Sequence, residues 1–312
     1  MPDYDIEIEG LRKSYDGKKY ALDGLSFNTQ RGEIYGLLGK NGAGKSTSIK
    51  IMTTLIGYNE GTVTVAGLDV KKDASKIRKK IGVVQQEESF DFTTVENNFK
   101  LTAMMWEVPR EQRDARMEEL MELFGLSEIR KKRMFDLSGG QKKRVQVARE
   151  FIHDMKVIFL DEPTVGLDPI MRRKILEYIR GKARNGLTVL FTTQNLEEAD
   201  MICDRIGIIN EGRIVEEGTS NHLKNKYGNL RTLTIWTNSN KKISKDGILE
   251  MFSSMNFDEI EYRDSVITII TRNLEKNLSG ILNQLSGNGI SVERINVENP
   301  TLDDVFIKVV QK

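Results

Sequence analysis

Residues 33–47 read EIYGLLGKNGAGKST, and the change of pattern inside that run decides the fold. Its first half is apolar and strand-like; its second half is a glycine-rich turn that opens a helix at Lys45. Gly39, Lys40, Asn41, Gly42, Ala43, Gly44, Lys45 and Ser46 match the spacing G-x-x-x-x-G-K-[ST], and Thr47 follows inside the predicted helix. Strand, loop and helix in that order are the context this spacing demands. The glycines let backbone N–H groups converge on phosphate oxygens, and the helix N-terminus adds its dipole. Lys45 is placed to neutralise β- and γ-phosphates, and the Ser46 hydroxyl to ligate Mg²⁺. An ordinary glycine turn matches this spacing by accident in roughly one chain of this length in a hundred. The run is read as a nucleotide phosphate site.

Working outward, β-branched runs alternate with helical stretches, as an α/β architecture requires. VIFLDEP (157–163) is a buried strand ending in Asp161 and Glu162, which places two carboxylates at the sheet edge that carries the phosphate loop. Asp161 suits Mg²⁺, a cation that prefers oxygen ligands. Glu162, one residue on and aimed differently, is the candidate base for an attacking water. Without the phosphate loop the two acids would read only as a solvated strand end. TVLFTTQNLEEAD (188–200) repeats the strand-to-helix pattern and puts the neutral amide of Gln194 at a strand tip.

A second anion-type site follows from Leu137-Ser138-Gly139-Gly140-Gln141, a serine and glycines ahead of the basic helix KKRVQVARE. With all of these motifs in order over about residues 4–220, the chain resembles the ATP-binding subunits of ABC transporters. The resemblance implies a P-loop NTPase core with an antiparallel β subdomain and a helical subdomain at about 88–155. It implies ATP and Mg²⁺ as ligands, and a head-to-tail homodimer or heterodimer of ATP-binding subunits. There Ser138, Gly139, Gly140 and Gln141 of one subunit close over the nucleotide of the other. It further implies that Tyr15 stacks on adenine, with Tyr20 a weaker candidate. Gln86 would contact Mg²⁺ and the attacking water, with Gln85 beside it the alternative. Asp168, in Gly166-Leu167-Asp168, would couple the two sites while also capping the helix that Pro169 starts.

The family carries histidine where this chain has Gln194. Glutamine keeps a donor of similar reach but no positive charge. The loss of a charge-assisted bond is worth about 1–2 kcal/mol. Two readings follow: a slower ATPase, or an ATP-binding clamp with little turnover. A soluble ABC ATPase acting on ribosomes or DNA is disfavoured by the charge balance, 47 basic against 46 acidic residues, which also makes nucleic acid an unexpected partner. The single cysteine excludes a disulfide framework. No apolar run approaches a membrane span, and the acidic start MPDYDIEIEG does not read as a secretory signal. A cytoplasmic protein held at the inner face of the membrane by an integral permease subunit is expected.

Residues 228–312 change pattern. Strands at 231–237, 257–262, 265–271 and 290–297 alternate with helices at 245–255 and 273–286, a βαββαβ order that fits a small α+β ferredoxin-like domain. Its terminal helix opens PTLDDVF with Thr301 and Asp304 at capping-box spacing. That ending resembles the C-terminal extension of the daunorubicin-resistance type of ABC ATPase, and an assembly or regulatory role follows. Elsewhere, Arg130–Arg133 is expected as a solvated helix end, and His153 as a helix-end cation or a packed side chain. Phe90, Phe92, Met104, Met105 and Trp106 are candidates for a partner surface.

Overall fold

The computed structural model describes residues 4–86, 92–227, 231–238, 245–253, 255, 257–272, 274–298 and 300–310. Phe90 and most of the Glu87–Phe92 stretch therefore lie outside the described residues. Two compact units divide the chain, Met1–Ser220 and Asn221–Lys312.

Apolar runs with β-branched residues give the first unit its strands, and turn residues punctuate them. The strands are β1 (Tyr4–Ser14), β2 (Tyr20–Gln30), β3 (Ile34–Leu38), β4 (Glu60–Val65), β5 (Leu68–Asp69), β6 (Ile81–Val84), β7 (Val157–Asp161), β8 (Thr188–Thr192), β9 (Arg205–Asn210) and β10 (Arg213–Gly218). The helices are α1 (Lys45–Met52), α2 (Ala74–Arg78), α3 (Val95–Met105), α4 (Arg110–Leu123), α5 (Gly139–Glu150), α6 (Pro169–Arg184) and α7 (Leu196–Ile202). The central sheet runs β10-β9-β3-β8-β7-β6. Neighbours from β9 to β6 are parallel, and β10 returns antiparallel on β9. Every residue of β3, β7 and β8 is buried, as a sheet covered on both faces requires. Parallel pairing brings the C-terminal ends of β3, β6, β7 and β8 to one edge, which is where the phosphate loop, Gln86, Asp161–Glu162 and Gln194 emerge.

An antiparallel sheet of order β2-β1-β4-β5 packs Ile6, Ile8, Leu25 and Val63 against Leu37, Phe159 and Leu190 of the central sheet. On the other side α3, α4 and α5 bury Phe99, Met117, Leu120 and Val145 with Phe191 and Leu160. Truncating one of the large fully buried side chains, Phe159 or Phe191, to alanine would cost about 3–5 kcal/mol. Residues 94–132 are charge-laced and read as one helical stretch, but the helix is interrupted between α3 and α4. Glu107 turns left-handed there (φ 55), and Pro109, which cannot continue a helix, becomes the N-cap of α4. Arg130 is no solvated cation: it pairs with Glu96 at 3.4 Å and Glu118 at 3.0 Å, and Arg133 bridges Thr94.

In the second unit α8 (Ser220–Tyr227), opening at the boundary, leads into β11 (Arg231–Asn238), α9 (Lys245–Met251), β12 (Glu259–Arg263), β13 (Val266–Thr271), α10 (Leu274–Gly287), β14 (Ser291–Glu298) and α11 (Leu302–Val310). The sheet order is β12-β13-β11-β14, antiparallel throughout. Alternation along β11 and β13 sends Leu233, Ile235, Ile267 and Ile269 inward, against Ile248, Phe252, Ile281 and Leu285 of the helices. Helix α9 stops at Met251, short of the expected 255, and Phe252 just beyond it is buried in the core. At α11 Thr301 Oγ1 accepts from the Asp304 N–H at 3.3 Å and Asp304 accepts from the Thr301 N–H at 2.9 Å, so the capping box is formed.

Candidate functional site

Helix α1 starts from Gly44, whose left-handed backbone (φ 114) leaves no room for a side chain: a Cβ there would meet Leu22 Cδ2 at 2.6 Å and the Ala21 carbonyl at 2.9 Å. A Cβ on Gly39 would lie 2.4 Å from the Ile209 carbonyl, so the loop needs glycine at both ends. No side chain caps α1, which leaves its first N–H groups free for a ligand. Lys45 Nζ sits inside the loop, donating to the carbonyls of Gly39 (2.6 Å) and Lys40 (3.1 Å). Burial pushes its ammonium below the usual lysine range, against the upward pull of Glu162 and Asp161. Two of its three donors are engaged by the loop and one remains.

Beside it, Ser46 Oγ donates to Asp161 Oδ2 at 3.1 Å, while Thr192 Oγ1 donates to Asp161 Oδ1 at 2.5 Å. A hydroxyl and a carboxylate oxygen thus converge at the rim of a cavity of about 310 Å³ that Gln85 and Gln86 also line. That all-oxygen donor set fits Mg²⁺. Glu162, only 5% exposed, is left-handed (φ 52) at a non-glycine position, a conformation that costs about 1–3 kcal/mol. It is held by its own N–H donating to the Thr192 carbonyl at 3.1 Å. Both carboxylate oxygens are occupied by amides: Gln194 Nε2 donates to Oε1 at 2.7 Å and Gln86 Nε2 to Oε2 at 3.3 Å. Tyr15 is 64% exposed with its hydroxyl 3.4 Å from Thr47 Oγ1, which puts its ring beside the start of α1. Tyr20 lies instead under the Arg12 guanidinium.

The second glycine-rich start is built differently. Ser138 Oγ accepts from the Gln141 N–H at 3.3 Å, and Gln141 Oε1 accepts from the Ser138 N–H at 3.0 Å, a complete capping box on α5. A Cβ on Gly139 would meet open space, whereas one on Gly140 would lie 2.7 Å from the Gly166 carbonyl. Asp168 caps α6, accepting from the Met171 N–H at 3.0 Å behind Pro169. The phosphate loop, Gln86, Asp161, Glu162 and Gln194 are therefore brought together, while Ser138–Gln141 engage their own helix start.

Sequence reasoning missed the struts. Lys143 Nζ donates to the carbonyls of Gln85 (3.1 Å) and Gln86 (3.3 Å), and Gln146 Nε2 donates to Gln85 at 2.8 Å. Helix α5 thereby holds the segment that carries Gln86. The signal available was weak: a lysine and a glutamine on a basic helix read as solvated face. His153 is a packed side chain and not a cation. It stacks on Trp106 (centroids 4.1 Å apart), and burial pushes its imidazole down to about 4, against a smaller upward pull from the Ile81 backbone. Cys203 packs beneath Gly36, and burial raises its thiol well above the usual range, so it is no nucleophile.

A phosphate loop, an adjoining hydroxyl–carboxylate pair and an oriented carboxylate at one edge of a parallel sheet define a nucleotide-binding ATPase of the P-loop class. Residues 22–165 match the family described as ABC transporter, and residues 218–310 match the C-terminal domain of DrrA1-3-like ATP-binding proteins. The daunorubicin resistance ATP-binding protein DrrA3 of Streptomyces coeruleorubidus is 35% identical over 308 residues, 98% of this chain and 96% of that one. The Nod factor export ATP-binding protein I of Paraburkholderia xenovorans is 38% identical over 224 residues, covering 72% of this chain and 73% of its own. Among solved structures, a dimeric ATP-binding cassette in a post-hydrolysis state bound to ADP and Pi superposes with a TM-score of 0.64 at 27% identity, covering 69% of this chain and 98% of that one. This chain belongs to the ABC transporter ATP-binding proteins, on the branch that carries the DrrA-type C-terminal domain. Among the described residues no helix is long and apolar enough to cross a membrane.

Proposed function

We propose that this chain hydrolyses ATP with Glu162 as general base and thereby drives export through a separate integral membrane permease. The observation that carries the reading is the Glu162 carboxylate, adjacent to Asp161 and held on both oxygens by the Gln86 and Gln194 amides. Amide donors fix where the carboxylate points without neutralising it, which is what a base aimed at one water needs. In this reading Tyr15 stacks on adenine and the loop N–H groups of Gly39–Thr47 hold the phosphates. The remaining Lys45 donor, with those it exchanges from the Gly39 and Lys40 carbonyls, meets the β- and γ-phosphates. Ser46, Asp161 and the Gln86 amide oxygen would hold Mg²⁺, which when bound offsets charge on the β- and γ-phosphates.

The Ser138–Gln141 start would serve the nucleotide of a second ATP-binding subunit, a further copy of this chain being the simplest, a reading supported by the dimeric cassette on which the chain superposes. The Gly166–Asp168 loop, which Gly140 touches, would relay closure between the two sites. Export of a drug- or lipid-like substrate is supported by the drug-resistance and Nod factor export roles of the relatives, and a place at the inner face of the membrane would follow from docking on the permease. The second unit would act in assembly or regulation. The clamp alternative draws on Gln194 alone, and the 2.7 Å bond it makes to Glu162 supplies the base with a donor.

Purified protein should hydrolyse ATP with Mg²⁺, and Glu162→Gln should bind ATP as tightly while losing turnover by 100-fold or more, on the order of the larger effects of removing a general base. Undiminished turnover in that variant would refute the assignment.

A further inference from the structure

A buried carboxylate outside the nucleotide machinery ties three segments of it together. Glu198, in α7, is 4% exposed. Thr164 Oγ1 lies 2.9 and 2.8 Å from its two oxygens, and Thr193 Oγ1 donates to Oε2 at 2.8 Å. The Arg172 guanidinium pairs with Oε1, Nε at 3.2 Å, and its Nη2 donates to the Leu167 carbonyl at 3.4 Å. Each partner belongs to a different stretch of the site. Thr164 stands two residues beyond Glu162, and Thr193 stands immediately before Gln194. Arg172 grips the loop whose Gly166 carbonyl packs on Gly140.

The local sequence predicts something else. Glu198 is three residues beyond the N-cap Asn195, the position of a capping-box acid. Instead the Asn195 N–H goes to Thr193 Oγ1 at 3.0 Å, and the Asn195 side chain accepts from the Glu197 N–H at 3.0 Å. Glu198 is thus released from capping and turned inward. A carboxylate in a dry interior is costly unless donors and an opposite charge meet it, and here the hydroxyl donors come from both strand tips and the charge from Arg172 in α6.

We propose that Glu198 is a positioning residue for hydrolysis, setting Gln194 against Glu162 and tying that pair to the Gly166–Asp168 loop. Because Thr164 and Thr193 share one acceptor, the ends of β7 and β8 move together, and the Gln194–Glu162 bond survives only in that register. Through Arg172, displacement of the partner-facing loop shifts the shared acceptor, so the hydrolytic pair responds to the neighbouring subunit. The inference rests on the proposed ATPase only for its kinetic readout.

In the full chain, Glu198→Gln keeps the volume but replaces one acceptor oxygen by an NH₂ group, which cannot accept. Its kcat should fall about ten- to a hundredfold, the scale of a small misplacement at a reacting centre, with KM for ATP unchanged. Glu198→Asp should recover part of the loss. Adding Gln194→Ala to Glu198→Gln should lower kcat little further, because both changes act on the same bond. Hydrogen exchange gives a readout that needs no turnover: Glu198→Gln should speed exchange over 162–168 and 192–197 together. Additive kcat losses, or faster exchange confined to 192–197, would overturn the proposal and leave Glu198 a local helix contact. A natural protein with no ATPase activity would instead sink the proposed function, and the exchange pattern would still decide this inference.

Discussion

The chain contains two glycine-rich helix starts, and they solve the same electrostatic problem in opposite ways. The start of α1 carries no side-chain cap, uses left-handed glycines at Gly42 and Gly44, and holds a buried ammonium inside the loop. The start of α5 ties the Ser138 and Gln141 N–H groups into a capping box. Uncapped N–H groups with a lysine beneath them make a site that accepts phosphate alone. A capped start has its serine hydroxyl engaged by its own helix, so it suits a phosphate already bound elsewhere. In the proposed dimer one chain would thus carry both without holding two nucleotides.

Breaking each start in turn should separate them. Lys45→Ala should abolish ATP binding and turnover together, a loss beyond 100-fold from removing a preorganised cation at the phosphates. Ser138→Arg should lose turnover to a similar extent yet keep ATP affinity within a few-fold, measured by fluorescent nucleotide titration. Equal loss of affinity in both would mean the two starts serve one nucleotide within a single subunit.

The phosphate loop side was legible in the sequence because glycine spacing is dictated by backbone contacts, at Gly39 and Gly44 above all. Asp161 and Glu162 were legible because a strand end fixes where neighbouring residues emerge. The bonds between segments were not. That Gln194 would turn to Glu162, that Lys143 and Gln146 would hold Gln85 and Gln86, and that Glu198 would leave its cap all depend on tertiary neighbours distant in sequence. The break between α3 and α4 is signalled by Pro109, which cannot continue a helix however charge-laced the sequence around it.

Smaller effects sharpen the contrast. On the α1 side, Gln194→His should raise kcat about tenfold with little change in ATP affinity, since imidazole can carry charge as it develops on the phosphoryl oxygens. It should also introduce a rate change between about pH 6 and 7.5 that an amide lacks. Superimposable pH–rate profiles would remove Gln194 from the rate-determining contacts. On the α5 side, His153 stacks on Trp106 just beyond the helix and is displaced to about 4 by burial. Above pH 6.5 both folded and unfolded chains hold it neutral. As pH falls from 6.5 towards 4 only the unfolded chain takes up the proton, so stability is lost, by about 2–3 kcal/mol. His153→Phe keeps the stack and should flatten that part of the urea stability–pH curve. Parallel curves for the two proteins would show that burial does not hold this imidazole neutral.

The claim that the two starts meet across subunits is tested most directly by mixing. Lys45→Ala and Ser138→Arg proteins, each inactive alone, are combined and assayed for ATP turnover. A mixed head-to-tail dimer contains one composite site with an intact phosphate loop from one subunit and an intact Ser138 start from the other. Turnover should therefore reappear, at up to about a quarter of the natural rate for random pairing of two-fold dimers. No recovery on mixing, with both variants folded and dimerising, would contradict the account.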